Sequence, residues 1–329
     1  MPLNIARLAQ TMDEISRHTW MRIKVGDMTG LKFREDSITD QNLLELKLAH
    51  PELIVHKFTQ STEKEFGADW EWWFGGDGLG WICLRIQAKR VHETAYKQLD
   101  HGGRREGEYQ YQTLIEGCGK ERYSTYPFHV FYNGWEDTRF RPNLVFSSHK
   151  DFCGRTQKEL WGCAAMSSHA VMRLHLGSKP DQWTKRAHVP RYIHESFPWS
   201  ELFTVCTPGW AEDWAGLTPD QMLRKLHQAV FFNDVVFRGD APEGEDRYGE
   251  PYVVDWALSQ FPDEVPHPRL PDYAWAVRDV QRMVASGAAR EEVDDDSTNS
   301  FATRDYPSRT LPRAISIVDL NARPAQLLR

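Results

Sequence analysis

The chain has no run of about 18 apolar residues, the length that a membrane-spanning helix requires. Residues 1–7 also lack the apolar stretch of a signal peptide. There is no Gly-Lys-Thr or Gly-Lys-Ser phosphate loop, which argues against ATP hydrolysis by this chain. The five cysteines form no Cys-x-x-Cys pair, and an odd, scattered set is typical of thiols in a reducing compartment. These absences predict a cytoplasmic protein without a membrane partner.

Length and composition are those of a globular protein. The chain has 329 residues, 40 % hydrophobic and 12 % aromatic, enough for one large domain or for a core with a second lobe. The net charge of −7 does not indicate a protein coated by nucleic acid. A nucleic-acid enzyme of this composition would need a local basic patch. Candidates for that patch, unless they are simply solvated, are Lys89, Arg90, Lys97, Arg104 and Arg105.

Residues 67–90 carry the clearest pattern, an alternation with a period of two on either side of a glycine-rich segment. The even positions are all apolar: Ala68, Trp70, Trp72, Phe74, Ile82, Leu84, Ile86 and Ala88. The odd positions are mainly polar, with Trp73 and Cys83 as exceptions: Asp69, Glu71, Arg85, Gln87 and Lys89. This alternation predicts two half-buried strands joined by a turn at residues 75–80.

The two strands must pair so that their apolar side chains share a face. Residues directly opposite each other in an antiparallel pair point to the same side, so an odd position must face an odd position. Pairing Gly75 with Trp81 meets this condition and leaves a five-residue loop. The same register groups the polar residues on one face: Glu71 opposite Arg85, Asp69 opposite Gln87, and Lys89 next along the strand.

Two interpretations of this polar face remain open. One is a solvated sheet surface with cross-strand ion pairs, each worth about a few tenths of a kcal/mol. The other is a metal site for phosphodiester hydrolysis, because carboxylates and a side-chain carbonyl are hard oxygen ligands suited to Mg²⁺. Lys89 could then stabilise the charge that develops on the phosphate or orient the attacking water. Since Lys89 ends its strand, its long side chain is expected to contribute little to the core.

Asp69 followed by Gln87-Ala88-Lys89, with Gly67 shortly before, resembles the motif of the PD-(D/E)xK nuclease superfamily. The closest pattern is the branch similar to Mrr-type restriction enzymes, in which Gln replaces the second acid. The resemblance covers roughly residues 30–135 and implies an α/β fold with a restriction-endonuclease-like core. That core consists of a helix, a three-stranded meander, a second helix and a fourth strand. The phrases GADWEWW and QAKR also resemble an uncharacterised bacterial family.

The chain offers these elements in the same order. An apolar pattern within residues 37–48 predicts the first helix, and residues 53–58 predict the first strand. The hairpin supplies the second and third strands. A helical pattern lies within residues 93–119, and the buried strand at residues 128–132 follows it.

The resemblance assigns a role to each polar residue of the motif. It implies that Asp69 binds the metal, that Gln87 is the second ligand through its carbonyl, and that Lys89 is the catalytic lysine. Glu35, at the start of the first helix, matches an acid that several branches use to bind metal directly or through water. Glu71 is an extra carboxylate that could replace Gln87 as the ligand. The proline of the family name is absent.

Three further residues are candidates for substrate contact. Trp73 is the aromatic side chain on the polar face. Arg90 belongs to the basic stretch that closes the third strand. Gln112 lies on the following helix, where it could reach a phosphate or a base edge, or be an ordinary polar residue of an amphipathic helix.

The chain is predicted to have three regions: a helix over residues 1–30 that packs on the core, the nuclease-like core over 31–150, and a mainly helical and irregular accessory region over 151–329. Within the third region, a run of small residues predicts a closely packed helix over 155–177. A late strand over 314–320 is expected to return to the edge of the sheet.

The sequence therefore predicts a nuclease that depends on Mg²⁺ or Mn²⁺. The resemblance implies that its substrate is DNA and that it acts in bacterial restriction or antiviral defence. Its expected partners are nucleic acid and either a second copy of the chain or a defence-system protein. The alternative is a non-catalytic module that binds nucleic acid or protein with a degenerate nuclease fold.

Overall fold

The computed structural model describes residues 3–58, 67–100, 108–120, 124–136, 139–140, 157–177, 187–203, 217–238, 266–285 and 312–321. The α-helices of these ranges are α1 (Ile5–Thr29), α2 (Glu35–Ala49), α3 (Gln110–Gly119), α4 (Ser168–Leu176), α5 (Val189–Ile193), α6 (Pro219–Arg238) and α7 (Asp272–Ala285). Short 3₁₀ helices span Lys97–Asp100, Lys158–Gly162 and Trp199–Phe203. The strands are β1 (Ile54–Lys57), β2 (Trp70–Gly76), β3 (Gly80–Arg90), β4 (Thr125–Tyr132), β5 (Cys163–Ser167), β6 (Phe197–Pro198) and β7 (Ala314–Asp319).

These strands form one mixed sheet, so the predicted α/β class is confirmed. The sheet has seven strands in the order β1-β7-β2-β3-β4-β5-β6. β2 pairs with β7 and β3 pairs with β4 in parallel, while every other neighbouring pair is antiparallel. The parallel pairing of β3 with β4 requires a crossover connection, which contains helix α3.

The predicted register of the hairpin is confirmed. Gly75 lies opposite Trp81, and Glu71 lies opposite Arg85. The ladder continues one pair further, to Gly76 and Gly80, so the loop has three residues and not five. Gly78 in this loop has φ of 80°, a conformation that favours glycine because it has no Cβ.

Both faces of β2 and β3 are buried, whereas the alternation predicted half-buried strands. The apolar face, which carries Trp72, joins the main core together with side chains of α1 and α2. On the opposite face, Trp73 and Trp81 pack with α7 residues such as Val277. The polar side chains of that face are therefore covered by other elements. The interpretation as a solvated sheet surface is wrong.

Strand β7 changes the predicted meander. The strand over 314–320 was expected at a sheet edge, but β7 lies inside the sheet, between β1 and β2. β1 and β2 are consequently not neighbours, as a three-stranded meander would require. Because β7 is antiparallel to β1 and parallel to β2, the two strands still run in opposite directions.

The region after residue 150 contributes more strands than predicted. The helix expected over 155–177 is a 3₁₀ turn, then strand β5, then helix α4, which begins only at Ser168. β5, β6 and β7 all join the same sheet as the hairpin, so the predicted boundary at 150 does not separate the sheet from an accessory region. No helix in the described ranges is long and apolar enough to cross a membrane.

Candidate active site

Three separate segments meet where β2 begins and β3 ends. Glu35 is the first residue of α2, and its Oε2 accepts a hydrogen bond of 2.9 Å from the backbone N–H of Arg90. The Asp69 carboxylate accepts a bond of 2.5 Å from the backbone N–H of Ala88. The Lys89 Nζ lies 3.9 Å from Glu35 Oε1. Both predicted acids are thus brought to the end of β3, next to the predicted lysine.

Helix α3 determines how the chain enters β2. Gly67 has φ of 73°, and a Cβ at this position would lie 2.9 Å from the backbone N of Leu114 in α3. Ala68 packs against Leu114 and Cys118 of the same helix and not in the main core, where its even position had placed it. This close approach fixes the backbone immediately before Asp69.

Gln110, the first residue of α3, connects two of the predicted site residues. Its Oε1 accepts hydrogen bonds of 3.1 Å from Gln87 Nε2 and 3.2 Å from Lys89 Nζ. Gln87 and Lys89 therefore project to the same side of β3, as their parity predicted. The β2–β3 ladder ends at the pair of Trp70 and Ile86, and Asp69 donates its backbone N–H to the Ile86 carbonyl.

The site is buried and its carboxyl groups repel each other. Asp69, Gln87 and Lys89 are 4 %, 1 % and 4 % exposed. Burial, together with the smaller effect of the Asp69 charge, raises the pKa of Glu35 to about 8 against the opposing effects of Lys89 and the Arg90 N–H. Since Glu35 is protonated at neutral pH, its contact with Lys89 is a full ion pair only above about pH 8.

Two residues that were not predicted as site residues extend the hydrogen-bond network from Gln87. His129 of β4 lies opposite Gln87 in the parallel ladder, and its Nε2 is 2.9 Å from Gln87 Oε1. Its Nδ1 is 2.8 Å from the Ser168 hydroxyl. Burial lowers the pKa of His129 well below its usual value, and the Lys89 charge lowers it further, so the imidazole is neutral. The sequence did contain a signal that could have identified His129, because this histidine lies between apolar neighbours in a strand that was predicted to be buried.

Glu71 belongs to a different network, which argues against its assignment as a metal ligand. Its carboxylate accepts hydrogen bonds from Arg85 Nε at 2.9 Å, Trp73 Nε1 at 2.8 Å and Tyr273 Oη at 2.5 Å. Burial alone would lower the pKa of Arg85, but the Glu71 charge raises it above its usual range. Glu71 is fully buried and satisfied by these donors, so the structure shows it as a packing residue.

Each of the three predicted substrate contacts has another partner within the protein. Trp73 is 2 % exposed and bonded to Glu71, because α7 covers the face where it lies. Arg90 is buried and its guanidinium is paired with Asp27 at 3.0 Å. Gln112 Oε1 accepts the backbone N–H of Tyr109 at 2.8 Å, which caps helix α3. Of the predicted basic patch, Arg104 and Arg105 lie outside the described residues.

The oxygen atoms at the site fit a hard divalent cation. Glu35 and Asp69 supply two carboxyl groups, and a cation would stabilise the charged form of Glu35, whose pKa is raised mainly by burial and also by the Asp69 charge. Gln87 Oε1 has a second lone pair besides the one that faces His129. Within the described ranges, no group of three or more His, Cys, Asp or Glu side chains could hold a metal. An ion here would therefore need an amide or backbone oxygen besides the two carboxylates.

Fold and site together define an α/β protein with a buried cluster of two carboxyl groups, an amide and a lysine at one end of a central hairpin. In comparison with known families, the model of DUF6615, a family of unknown function, matches residues 8–311. The chain belongs to this family. No curated protein matches the sequence.

Proposed function

We propose that the protein is a metal-dependent nuclease and that Glu35, Asp69, Gln87 and Lys89 form its active site. The single observation that carries this proposal is their convergence. Residues from α2, from the start of β2 and from the end of β3 meet around one buried pair of carboxyl groups. The antiparallel hairpin, followed by α3 and the parallel strand β4, also supports a restriction-endonuclease-like core, with β7 as an addition to it.

Each residue has a defined part in this proposal. Asp69 and Glu35 would hold Mg²⁺ or Mn²⁺ together with an oxygen of Gln87. Such an ion supplies a Lewis acid and an activated water for hydrolysis of a phosphodiester bond. The Lys89 ammonium would stabilise the negative charge that develops on the phosphate oxygens. The Lys89 Nζ donates to Gln110 Oε1 at 3.2 Å.

A second candidate function is favoured by the state of Gln87. Its Oε1 and Nε2 both have partners within the protein, and the side chain is 1 % exposed. A buried amide whose oxygen and nitrogen both have protein partners is what a structural network would contain. This favours a non-catalytic module that binds nucleic acid or protein and keeps the cluster for stability.

Cleavage and metal binding can be tested in one experiment. Purified protein is incubated with Mg²⁺ or Mn²⁺ and with plasmid, single-stranded DNA or RNA, and Mn²⁺ binding is measured by calorimetry. We expect metal-dependent cleavage, with DNA as the substrate, and expect Asp69→Asn to weaken Mn²⁺ binding and abolish cleavage, because it removes a ligand charge.

Asp220→Asn is the matched control, since it makes the same change at an exposed position at the start of α6. It should behave as the unmodified protein. Absence of both Mn²⁺ binding and cleavage in the unmodified protein would reject the nuclease and leave the binding module. Cleavage that survives Asp69→Asn would place the active site elsewhere.

A further inference from the structure

A continuous hydrogen-bonded chain lies behind the amide of Gln87. It runs from Ser168 Oγ to His129 Nδ1 at 2.8 Å, and from His129 Nε2 to Gln87 Oε1 at 2.9 Å. On the far side of the amide, Gln87 Nε2 donates to Gln110 Oε1 at 3.1 Å. Ser168 and His129 are fully buried. Neither residue has a part in the proposed reaction so far.

The Lys89 ammonium, which can only donate, sets the directions in this chain. It donates to Gln110 Oε1 at 3.2 Å, so that oxygen faces the Gln87 NH₂ group and the Gln87 carbonyl oxygen faces His129. The carbonyl oxygen of Gln87 can only accept, so His129 Nε2 carries the proton and donates. A neutral imidazole has one N–H, so His129 Nδ1 accepts and the Ser168 hydroxyl donates. Reversing the Gln87 amide would set its oxygen against Gln110 Oε1 and would force His129 into its other tautomer, with Nδ1–H donating to Ser168. The hydrogen bond to Gln110 would be lost in a buried site, which is costly.

An amide at this position must be held in one orientation to bind a cation, whereas a carboxylate need not be. The two oxygens of a carboxylate are equivalent, so either can bind a cation. An amide has one oxygen and one NH₂ group, and only the oxygen can bind a cation. Residues that orient a ligand without touching the metal often affect metal affinity almost as much as the ligand itself.

We propose that His129, held by Ser168, is the positioning residue that keeps the Gln87 carbonyl in its metal-binding orientation. The inference rests on the proposed function, because it gives a role to the one amide among the proposed ligands. His129 itself touches neither the metal nor the substrate.

Two substitutions of His129 separate orientation from packing. The amide nitrogen of a glutamine side chain can occupy the place of imidazole Nε2, while that of asparagine reaches only the place of Nδ1. His129→Gln should therefore keep the bond to Gln87, and His129→Asn should keep only the contact with Ser168. We expect His129→Asn to weaken Mn²⁺ binding and cleavage by about 10- to 100-fold, and His129→Gln to restore most of both.

The orientation of Gln87 can be observed without any enzymatic activity. In protein labelled with ¹⁵N-glutamine, the Gln87 NH₂ signals are assigned by their loss in Gln87→Ala. We expect these protons to exchange slowly with solvent in the unmodified protein and in His129→Gln, and faster in His129→Asn. In the Gln87→Ala background, His129→Asn should cause no further loss of Mn²⁺ affinity, because both changes act through one group.

His227→Asn is the matched control, since His227 is a buried histidine that bonds Tyr126 Oη at 2.6 Å outside the site. It should leave the Gln87 signals and Mn²⁺ affinity unchanged. Equal losses in His129→Gln and His129→Asn, or unchanged Gln87 signals in His129→Asn, would overturn the positioning role. If the unmodified protein binds no Mn²⁺ and cleaves nothing while the NMR results hold, the nuclease proposal fails and His129 only orients a structural amide.

Discussion

Lys89 is buried, although its long side chain was expected to contribute little to the core. It is 4 % exposed, with Nζ 3.2 Å from Gln110 Oε1 and 3.9 Å from Glu35 Oε1. A buried ammonium is unfavourable unless partners satisfy it. Its aliphatic stem therefore contributes to packing, and a test of its charge must preserve that stem.

Lys89→Met is the change that removes the charge and keeps an unbranched side chain of similar length. We expect cleavage to fall by about 10²–10³, because one preorganised stabilising charge is lost from the transition state. The melting temperature should change far less than the activity. Lys57→Met is the control, since Lys57 also ends a strand, β1, but its side chain is 55 % exposed and pairs with Asp40. Full metal-dependent cleavage by Lys89→Met would show that Lys89 has no role in the reaction.

The pKa of Glu35 predicts how the metal-free protein responds to pH. This pKa rises from its ordinary value of 4.5 to about 8 in the folded protein, mainly through burial. Between these values the folded state binds the proton more tightly than the unfolded state, so the free energy of unfolding falls as pH rises. Chemical denaturation in the presence of a chelator at several pH values should show this decline between about pH 5 and about pH 8. In Glu35→Gln, the free energy of unfolding should depend much less on pH over this range.

The same group links metal binding to pH. A cation bound by Glu35 must displace its proton, so binding should release a proton below about pH 8 and strengthen as pH rises. Calorimetric titration of Mn²⁺ in buffers of different ionisation enthalpy measures the released proton. Binding without proton release at pH 7 would show that Glu35 is not a ligand.

At the scale of elements, α7 closes the polar face of the hairpin. Tyr273, in its first turn, donates its hydroxyl to Glu71, and Val277 packs in the same apolar cluster as Trp73 and Trp81. Burial raises the pKa of Tyr273 above its usual value, and the Glu71 charge raises it further, so the phenol remains a donor. The Glu71 carboxylate thus anchors α7 to the sheet.

Tyr273→Phe tests this structural role of Glu71. The substitution leaves a buried carboxylate with one donor fewer, and we expect it to lower the free energy of unfolding by about 1–3 kcal/mol. Mn²⁺ affinity should not change, because Glu71 lies outside the proposed metal site. Trp275→Phe is the control on the same helix, at a residue that is 47 % exposed. Loss of Mn²⁺ affinity without loss of stability would show that Glu71 is a metal ligand after all.

At the scale of the whole molecule, β7 joins β1 to the hairpin. It pairs with β1 on one side and with β2 on the other, and all of its residues are buried. Without β7 the sheet would be divided between β1 and the hairpin, with two unpaired edges inside the protein. The hairpin that carries the site therefore depends on a strand more than 200 residues away in sequence, as Trp70 pairs with Ala314.

A chain that ends at Leu311 should not fold. Removing β7 exposes the apolar side chains Ile315, Ile317 and Val318, each worth about 1.5–3 kcal/mol when fully buried, along with two ladders of hydrogen bonds. The sum approaches the whole stability of a typical domain, about 5–15 kcal/mol. Chemical denaturation should show no cooperative transition, whereas a chain that ends at Asn321 keeps β7 and should unfold cooperatively. A cooperative transition in the shorter chain would show that β7 is dispensable.

The sequence by itself determined the β2–β3 hairpin, its register and the side of β3 on which Gln87 and Lys89 project. Strand alternation is a local property, because successive side chains point to opposite faces whatever the rest of the chain does. The order of the elements around the hairpin also followed from local patterns. For the same reason, the short apolar run of β5 was mistaken for a helix, since periodicity alone does not distinguish the two.

Only the tertiary structure decided what covers each face and which polar groups become partners. The pairing of Glu71 with Tyr273 spans 202 residues, and that of Gln87 with His129 depends on β4 lying beside β3. Such contacts follow from the packing of distant elements, which no local pattern specifies. Burial then raises the pKa of Glu35, because removing a carboxylate from water disfavours its charged form.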